Sequence, residues 1–174
     1  MQNEVFNQLV GSLDTPMVVV TAAVEGERAG CLVGFHAQSS IDPSRYSLWL
    51  SKANHTYRVA QFATHLGVHF LTGSDRELAR VFGTLSGDDV DKFEGFEARS
   101  GEGGAPLLSE CANAMVVRKV AVLDEGGDHV CVVTEPVEVR ASVPFDPLML
   151  SQVKDLDAGH PVEDHDEPAS LRAE

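Results

Sequence analysis

Apolar positions along the middle of the chain are mostly β-branched or alternate with polar ones, so they predict strands. MVVVTAAV at 17–24 is a continuous β-branched run, typical of a buried strand. CLVGFHAQSSI at 31–41 follows a polar turn, and we expect it to pair back as a hairpin. RYSLWLS at 45–51 resumes after Asp42-Pro43, with Leu48 and Leu50 on one face and Trp49 on the other.

The strongest hairpin signal lies in the second half of the chain. Two long strand patterns, at 113–124 and 129–141, are separated by the turn Glu125-Gly126-Gly127-Asp128. LGVHFL at 66–71 predicts a further short strand. About six hairpin-linked strands without regular βαβ alternation favour a closed or partly closed antiparallel barrel, so we predict a mainly β fold.

Helical spacing of apolar residues occurs at a few separate places. Residues 3–13 predict an amphipathic helix, and Asn54 is a plausible N-cap for a second helix reaching about Phe62. Ser74 or Asp75 is expected to cap a third helix, RELARVFGTL, and PFDPLMLSQV at 144–153 to form a last short one. The Gly-rich segment 86–104 is expected to be an ordered loop region and not a linker.

Residues 154–174 differ in composition from the rest. They are acidic, contain proline and have almost no large apolar side chains, so burial cannot offset the entropy of ordering them. We therefore predict one domain over residues 1–153 and a disordered acidic tail over 154–174.

Charge and cysteine content narrow the functional classes. The 174 residues contain 27 acidic and 13 basic side chains, a formal net charge of −14, which disfavours nucleic acid and anionic membranes as partners. No apolar run approaches the roughly 20 residues of a membrane span. Cys31, Cys111 and Cys131 are odd in number and lie in apolar stretches, so we expect free thiols in a cytoplasmic protein.

Two segments carry candidate chemistry. In LSKANHTY at 50–57, a strand end and a helix start bring Ser51, Lys52, Asn54 and Thr56 together as a potential phosphate cradle, the alternative being an ordinary capped helix. His129 follows the hairpin turn, where a histidine is either functional or simply solvated. No metal site is predicted: His65 and His69 are four residues apart, but they lie in a strand.

Several sequence blocks together resemble the flavin reductase-like family, the FMN-binding split barrels. The most specific are DKF, from Asp91 to Phe93, and GDH, from Gly127 to His129. The others, in the same order as in the family, are AGCLVGFHAQSSIDP, LSKANHTY, LGVHFL, GAPLL and the strand after GDH. The match spans roughly Asp14 to Ala141.

The resemblance implies a homodimeric, Greek-key split barrel that binds FMN, or FAD, near the subunit interface. Carried over by position, the flavin would lie along one strand and its phosphate in the cradle, while His129 would face the nicotinamide of NADH or NADPH. The implied activity is NAD(P)H:flavin reductase, with a two-component monooxygenase as a potential partner. The alternatives are a flavin or haem carrier without turnover and an oxidoreductase that uses deazaflavin. The implied flavin-binding residues are Gly34, Phe35, His36, Ala37, Gln38, Ser39 and Ser40, with Ser51, Lys52, Asn54 and Thr56 for the phosphate.

Overall fold

Seven strands share one antiparallel sheet, and a two-stranded ribbon packs beside it, in a computed structural model that describes residues 2–159. The strands are β1 (Val18–Val24), β2 (Glu27–Val33), β3 (His36–Ser40), β4 (Arg45–Ser51), β5 (His65–Phe70), β6 (Ala98–Ser100), β7 (Pro106–Leu108), β8 (Ala114–Leu123) and β9 (His129–Arg140). The helices are α1 (Gln2–Gly11), α2 (His55–Ala60) and α3 (Arg76–Thr84), with 3-10 turns at Gly73–Asp75, Glu102–Gly104 and Leu150–Gln152.

The order of the strands requires the sheet to curl. The main sheet runs β2-β1-β5-β8-β9-β4-β3, so β2 and β3 form its two opposite edges. Only Gly34 and Phe35 connect them, and such a link spans at most about 11 Å. Six strand spacings of about 4.8 Å would separate the edges of a flat sheet by about 29 Å. The two edges must therefore approach each other, which produces a split barrel.

Two large apolar clusters fill most of the fold, and a third, smaller one lies between β7 and β8. Inside the curled sheet, Val20, Leu48, Leu66 and Val117 pack against one another, and α2 covers this cluster. The second cluster lies outside the sheet, where α3 and the last described residues pack on β1. The prediction of a mainly β antiparallel barrel is confirmed, with seven strands in the main sheet instead of about six.

The best-supported local predictions are also confirmed. β8 pairs with β9 across a turn in which Gly126 has a φ of 86°, a backbone conformation that suits glycine. Asn54 caps α2, because its side-chain oxygen accepts a hydrogen bond from the backbone N–H of Thr56 at 2.9 Å. Leu48 and Leu50 are buried in the barrel, whereas Trp49 lies on the other face.

Two predicted elements are wrong in detail. The expected single strand at 31–41 is divided, because β2 pairs with β1 while β3 pairs with β4. The expected helix at 144–153 is absent from the described chain except for the turn at Leu150–Gln152. Its first half is extended instead, with Pro147 bridged to Thr72 and Leu148 bonded to Leu71.

The structured region extends past the predicted domain boundary at 153. Leu156 packs against the outer cluster, and the side chain of Asp155 forms an ion pair with Arg76 at 2.7 Å. The backbone N–H of Gly159 donates to the Gly83 carbonyl at 3.0 Å. The remainder of the predicted tail, residues 160–174, lies outside the described residues.

Helix α1 forms as predicted, but its apolar face does not pack on the domain. None of its described residues is buried, and Phe6 and Leu9 are 62% and 68% exposed. An apolar helical face with this exposure is unusual for a surface that contacts only water.

Candidate functional site

Residues distant in sequence meet at one end of strands β4 and β9. Ser51 lies opposite His129 in the antiparallel pairing, and the backbone N–H of Lys52 donates to the Asp128 carbonyl at 2.8 Å. The ring of Phe35 approaches the His129 imidazole edge-on, with 5.2 Å between their centres. The β2–β3 connection, the end of β4 and the β8–β9 turn therefore form a single surface.

The imidazole of His129 is oriented by its sequence neighbour. Its Nδ1 lies 2.8 Å from Oδ1 of Asp128, and because a carboxylate only accepts, Nδ1 carries the proton of that hydrogen bond. The side chain of His129 remains partly exposed. This arrangement fixes the tautomer and the direction of the ring.

A shallow cavity of about 260 Å³ adjoins His129 on the outer face of the sheet. Trp49 and Cys131 lie opposite each other across β4 and β9 and form its base. Burial raises the pKa of the Cys131 thiol, so the thiol is the favoured form there. The complete lining is Trp49, Leu123, Glu125, Gly127, Asp128, His129 and Cys131.

The residues of β3 divide between the two faces of the sheet. His36 points inward, where Tyr46 donates its hydroxyl to Nδ1 at 2.7 Å and Nε2 donates to the Pro16 carbonyl at 2.7 Å. Burial lowers the pKa of His36, in keeping with this neutral arrangement. Ser39 points the other way and accepts a hydrogen bond from Ser47. Both ring nitrogens of His36 are therefore used in contacts that stabilise the fold.

The rest of the predicted 34–40 segment is more accessible. Phe35, Ala37 and Gln38 are exposed, and the amide of Gln38 donates to the Ser40 carbonyl. A Cβ on Gly34 would lie 3.5 Å from the Met17 side chain, which is ordinary contact. This segment therefore offers backbone and small side chains to a ligand.

The four residues of the predicted phosphate cradle differ in their surroundings. The ammonium of Lys52 pairs with Asp124 at 2.8 Å, toward the β8–β9 turn. Thr56 is only 1% exposed and lies beside the Cys31 thiol in the core. Asn54 caps α2, and Ser51 lies opposite His129. A role for all four residues in phosphate binding stays a prediction.

A second cavity, of about 200 Å³, is lined by Asn54 and Lys92, among other residues. We call it the Lys92 cavity. It lies between the start of α2, the end of α3 and the C-terminal segment 150–159. Lys92 belongs to the DKF block. Because it follows several aspartates in a polar loop, the sequence alone predicts that its side chain is exposed. The complete lining is Met17, Leu32, Ala53, Asn54, His55, Phe82, Gly83, Leu85, Ser86, Gly87, Lys92, Leu150, Val153, Leu156, Ala158 and Gly159.

His69 has a structural environment. It is fully buried, its Nδ1 donates to the Val19 carbonyl, and its Nε2 accepts from the backbone N–H of Leu108. Burial lowers the pKa of this imidazole to about 4. Within residues 2–159, no group of three or more His, Cys, Asp or Glu side chains is arranged to hold a metal ion.

Comparison with known proteins assigns the family. The flavin reductase like domain family matches residues 10–156 of the 174. The chain belongs to the flavin reductase-like family. A ferric-chelate reductase (NAD(P)H) of Archaeoglobus fulgidus is 27% identical to it over 125 residues, 71% of this chain and 74% of the relative. An NADH:riboflavin 5'-phosphate oxidoreductase of Streptomyces pristinaespiralis is 27% identical over 153 residues, 87% of this chain and 85% of the relative.

Solved structures support the same fold. A flavin reductase domain protein from Arthrobacter superposes with a TM-score of 0.77 at 22% identity, covering 92% of this chain and 96% of that chain. Flavoredoxin from Methanosarcina acetivorans gives a TM-score of 0.74 at 22% identity, covering 91% and 90%. No helix within residues 2–159 is both long and apolar enough to cross a membrane.

Proposed function

We propose that this protein is an NAD(P)H:flavin oxidoreductase that uses FMN, with His129 on the nicotinamide side of the flavin. The observation that carries the proposal is the meeting of Phe35, Ser51 and His129 at one end of the sheet. These residues come from three separate segments, each of which the family resemblance assigns to flavin or nicotinamide binding. The two relatives at 27% identity are named for NAD(P)H and for FMN chemistry, which supports the same activity.

The surface beside His129 offers aromatic and backbone contacts to a flavin ring. Exposed Phe35 and the half-buried Trp49 present aromatic surface beside His129, while Gly34 leaves backbone accessible on the β2–β3 connection. Lys52, at the same end of β4, is partly exposed and pairs with Asp124. We assign the flavin ring to this surface and its ribityl chain to the segment 34–40.

Hydride transfer from a nicotinamide to a flavin requires little acid or base catalysis from the protein. A bound flavin supplies the hydride acceptor, and the nicotinamide supplies the hydride. The chain binds both rings, holds them in contact and excludes water. His129, held by Asp128, orients the nicotinamide.

We further infer a homodimer in which α1 takes part. The exposed Phe6 and Leu9 of α1 and the exposed Val120 and Val122 of β8 are apolar surfaces of the kind that subunits cover. The three free, buried cysteines fit a reducing compartment, so we place the protein in the cytoplasm.

Steady-state consumption of NADH or NADPH tests the proposal. With FMN added as the only acceptor, we expect oxidation that saturates in both substrates. Turnover with a deazaflavin but not with FMN would favour a related oxidoreductase, and bound flavin or haem without turnover would favour a carrier. Stimulation by a purified monooxygenase component would identify the protein as the reductase of a two-component system. No flavin binding and no oxidation would reject the proposal.

A further inference from the structure

The β8–β9 turn leads directly into His129, but the strands on either side do little to hold it. The last residue pair between the two strands is Leu123 with Cys131, so residues 124–128 lie beyond their ladder. All five of these turn residues are exposed, and two of them are adjacent glycines, which restrict the backbone least. The direction of the His129 ring therefore depends on the contacts that hold this turn.

Lys52 contacts the turn at both of its ends. Its backbone N–H donates to the Asp128 carbonyl at 2.8 Å, and its ammonium pairs with Oδ1 of Asp124 at 2.8 Å. Lys52 directly follows β4, whose last residue, Ser51, lies opposite His129. One residue at the end of β4 therefore holds both the first and the last residue of the turn.

Asp124 also stabilises the turn from within. The Oδ1 atom that pairs with Lys52 accepts a second hydrogen bond, from the backbone N–H of Gly126 at 2.8 Å. The hydrogen bond from Lys52, followed by the one from Gly126, lowers the pKa of the Asp124 carboxyl. This carboxylate thus connects the conformation of the turn to its attachment on β4.

The ion pair between Lys52 and Asp124 is expected to add little to overall stability. Their side chains are 36% and 50% exposed, and water and salt screen a pair of that kind. It lies, however, in the same short turn as the hydrogen bond between Asp128 and His129. We therefore expect its effect on the orientation of the His129 ring and not on the melting temperature.

We propose that Lys52 and Asp124 are positioning residues, which hold the β8–β9 turn on β4 so that Asp128 and His129 keep the orientation that the nicotinamide requires. The inference rests on the proposed function, in which His129 orients the nicotinamide. The phosphate contact that the sequence predicts for Lys52 is the competing assignment. The two assignments give different responses to ligands.

The first test compares Lys52→Met, Asp124→Asn and the variant that carries both changes. Lys52→Met keeps the backbone N–H that donates to Asp128, and Asp124→Asn keeps an acceptor for Gly126, so each removes mainly the ion pair. With FMN saturating, we expect each single change to lower kcat/KM for NADH or NADPH by about two- to fivefold, the range of an exposed ion pair. The Kd values of FMN and riboflavin should stay unchanged. Because both residues act through one contact, the double variant should lose no more than the larger single loss.

The substitution Asp124→Asn is then repeated in the His129→Ala protein. If Asp124 acts through His129, it should cause no further loss of kcat/KM once the imidazole is gone. A loss of the same size in both backgrounds would show that Asp124 acts on something else, and it would overturn the proposal.

Glu77 offers a matched control on α3. Its carboxylate pairs with Arg80 at 2.6 Å, and both side chains are exposed to a similar degree as those of Lys52 and Asp124. Glu77→Gln therefore removes the same kind of contact away from the proposed site. We expect it to leave kcat/KM and both flavin Kd values unchanged.

Amide hydrogen exchange measures the hold on the turn without any turnover. The backbone N–H of Lys52, which donates to the Asp128 carbonyl, should exchange faster in Asp124→Asn and at the normal rate in Glu77→Gln. Unchanged exchange in Asp124→Asn would overturn the proposal, because the turn would then be held without the ion pair.

A ligand response can also overturn it. Weaker binding of FMN but not of riboflavin in Lys52→Met, with normal kcat/KM in Asp124→Asn, would assign Lys52 to the flavin phosphate instead. Failure of the proposed function is distinguishable, because the unmodified protein would then oxidise neither NADH nor NADPH with FMN. Hydrogen exchange would still report whether the ion pair holds the turn.

Discussion

Oδ1 of Asp128 lies 2.8 Å from Nδ1 of His129, and this hydrogen bond fixes the imidazole at the end of the sheet where Phe35 and Ser51 also lie. Asp128 ends the β8–β9 turn and His129 begins β9, so the orientation depends on local geometry. A histidine held in this way presents its second nitrogen in a defined direction. This geometry supports the proposal that the histidine of the GDH block contacts a ligand.

Replacing His129 by alanine should affect turnover more than folding. The side chain is partly exposed at a turn, so we expect a melting temperature close to that of the unmodified protein. If it orients the nicotinamide, kcat/KM for NADH should fall by about tenfold or more while the Kd for FMN changes little. Asp128→Asn should give a smaller loss of the same kind. Full turnover in His129→Ala would remove this residue from the site.

The exposed face of α1 gives a prediction about assembly. Leu9→Glu places a charge in the apolar face that we assign to the subunit interface, whereas Gln8→Glu changes charge elsewhere on the same helix. Light scattering should give a dimer for the unmodified protein and for Gln8→Glu. Leu9→Glu should shift the protein toward monomer. A monomer at micromolar concentration in every case, with FMN present, would contradict the assignment.

Truncation separates the packed C-terminal segment from the predicted tail. A chain ending at Val153 loses the burial of Leu156 and the contacts of Asp155 and Gly159, so its melting temperature should fall by several degrees. A chain ending at Gly159 keeps these contacts, and the composition of 160–174 predicts little change. Equal melting temperatures for the two truncations would show that the 154–159 contacts contribute no stability.

Buried His69 predicts a pH dependence of stability. Its pKa in the folded protein is about 4, whereas the unfolded chain binds a proton near 6.5. Between these two pH values the unfolded state therefore binds more protons than the folded state. The contribution of neutral His69 to the free energy of unfolding is complete above pH 6.5 and is lost as the pH falls toward 4. The loss amounts to about 3 kcal/mol.

Unfolding by denaturant across this pH range measures the effect. A His69→Asn variant is expected to be less stable at pH 7, because it loses at least one of the two buried hydrogen bonds, and to show a shallower decline between pH 6.5 and 4. Identical slopes in the two proteins would show that His69 does not titrate in this way.

Local signals in the sequence were sufficient for the elements that depend on local interactions. The Gly126-Gly127 turn and its flanking alternation predicted β8 and β9, and Asn54 predicted the start of α2. The division of 31–41 was not predictable, because Gly34 and Phe35 interrupt an apolar run only where the barrel closes. The expected final helix failed because residues near Pro147 pair with distant backbone instead.

The candidate site shows the same division. The family resemblance identified His129 and the 34–40 segment, and the structure brings His129 next to Phe35. The family resemblance could not indicate that His36 is held by Tyr46 and Pro16, because these contacts depend on strand pairing. The burial of Lys92 was equally hidden, since its partners, Gly30 and Phe82, lie in distant parts of the sequence.

An anaerobic absorption experiment asks directly whether this protein transfers hydride from NAD(P)H to a bound flavin. The protein is mixed with FMN without oxygen, and the visible absorption of the flavin is followed after NADH or NADPH is added. We expect rapid bleaching with at least one of the two nucleotides, slower bleaching in His129→Ala, and recovery of the flavin spectrum when air is admitted. An FMN spectrum that stays unchanged with both nucleotides, in a protein shown to be folded, would rule out the proposed hydride transfer.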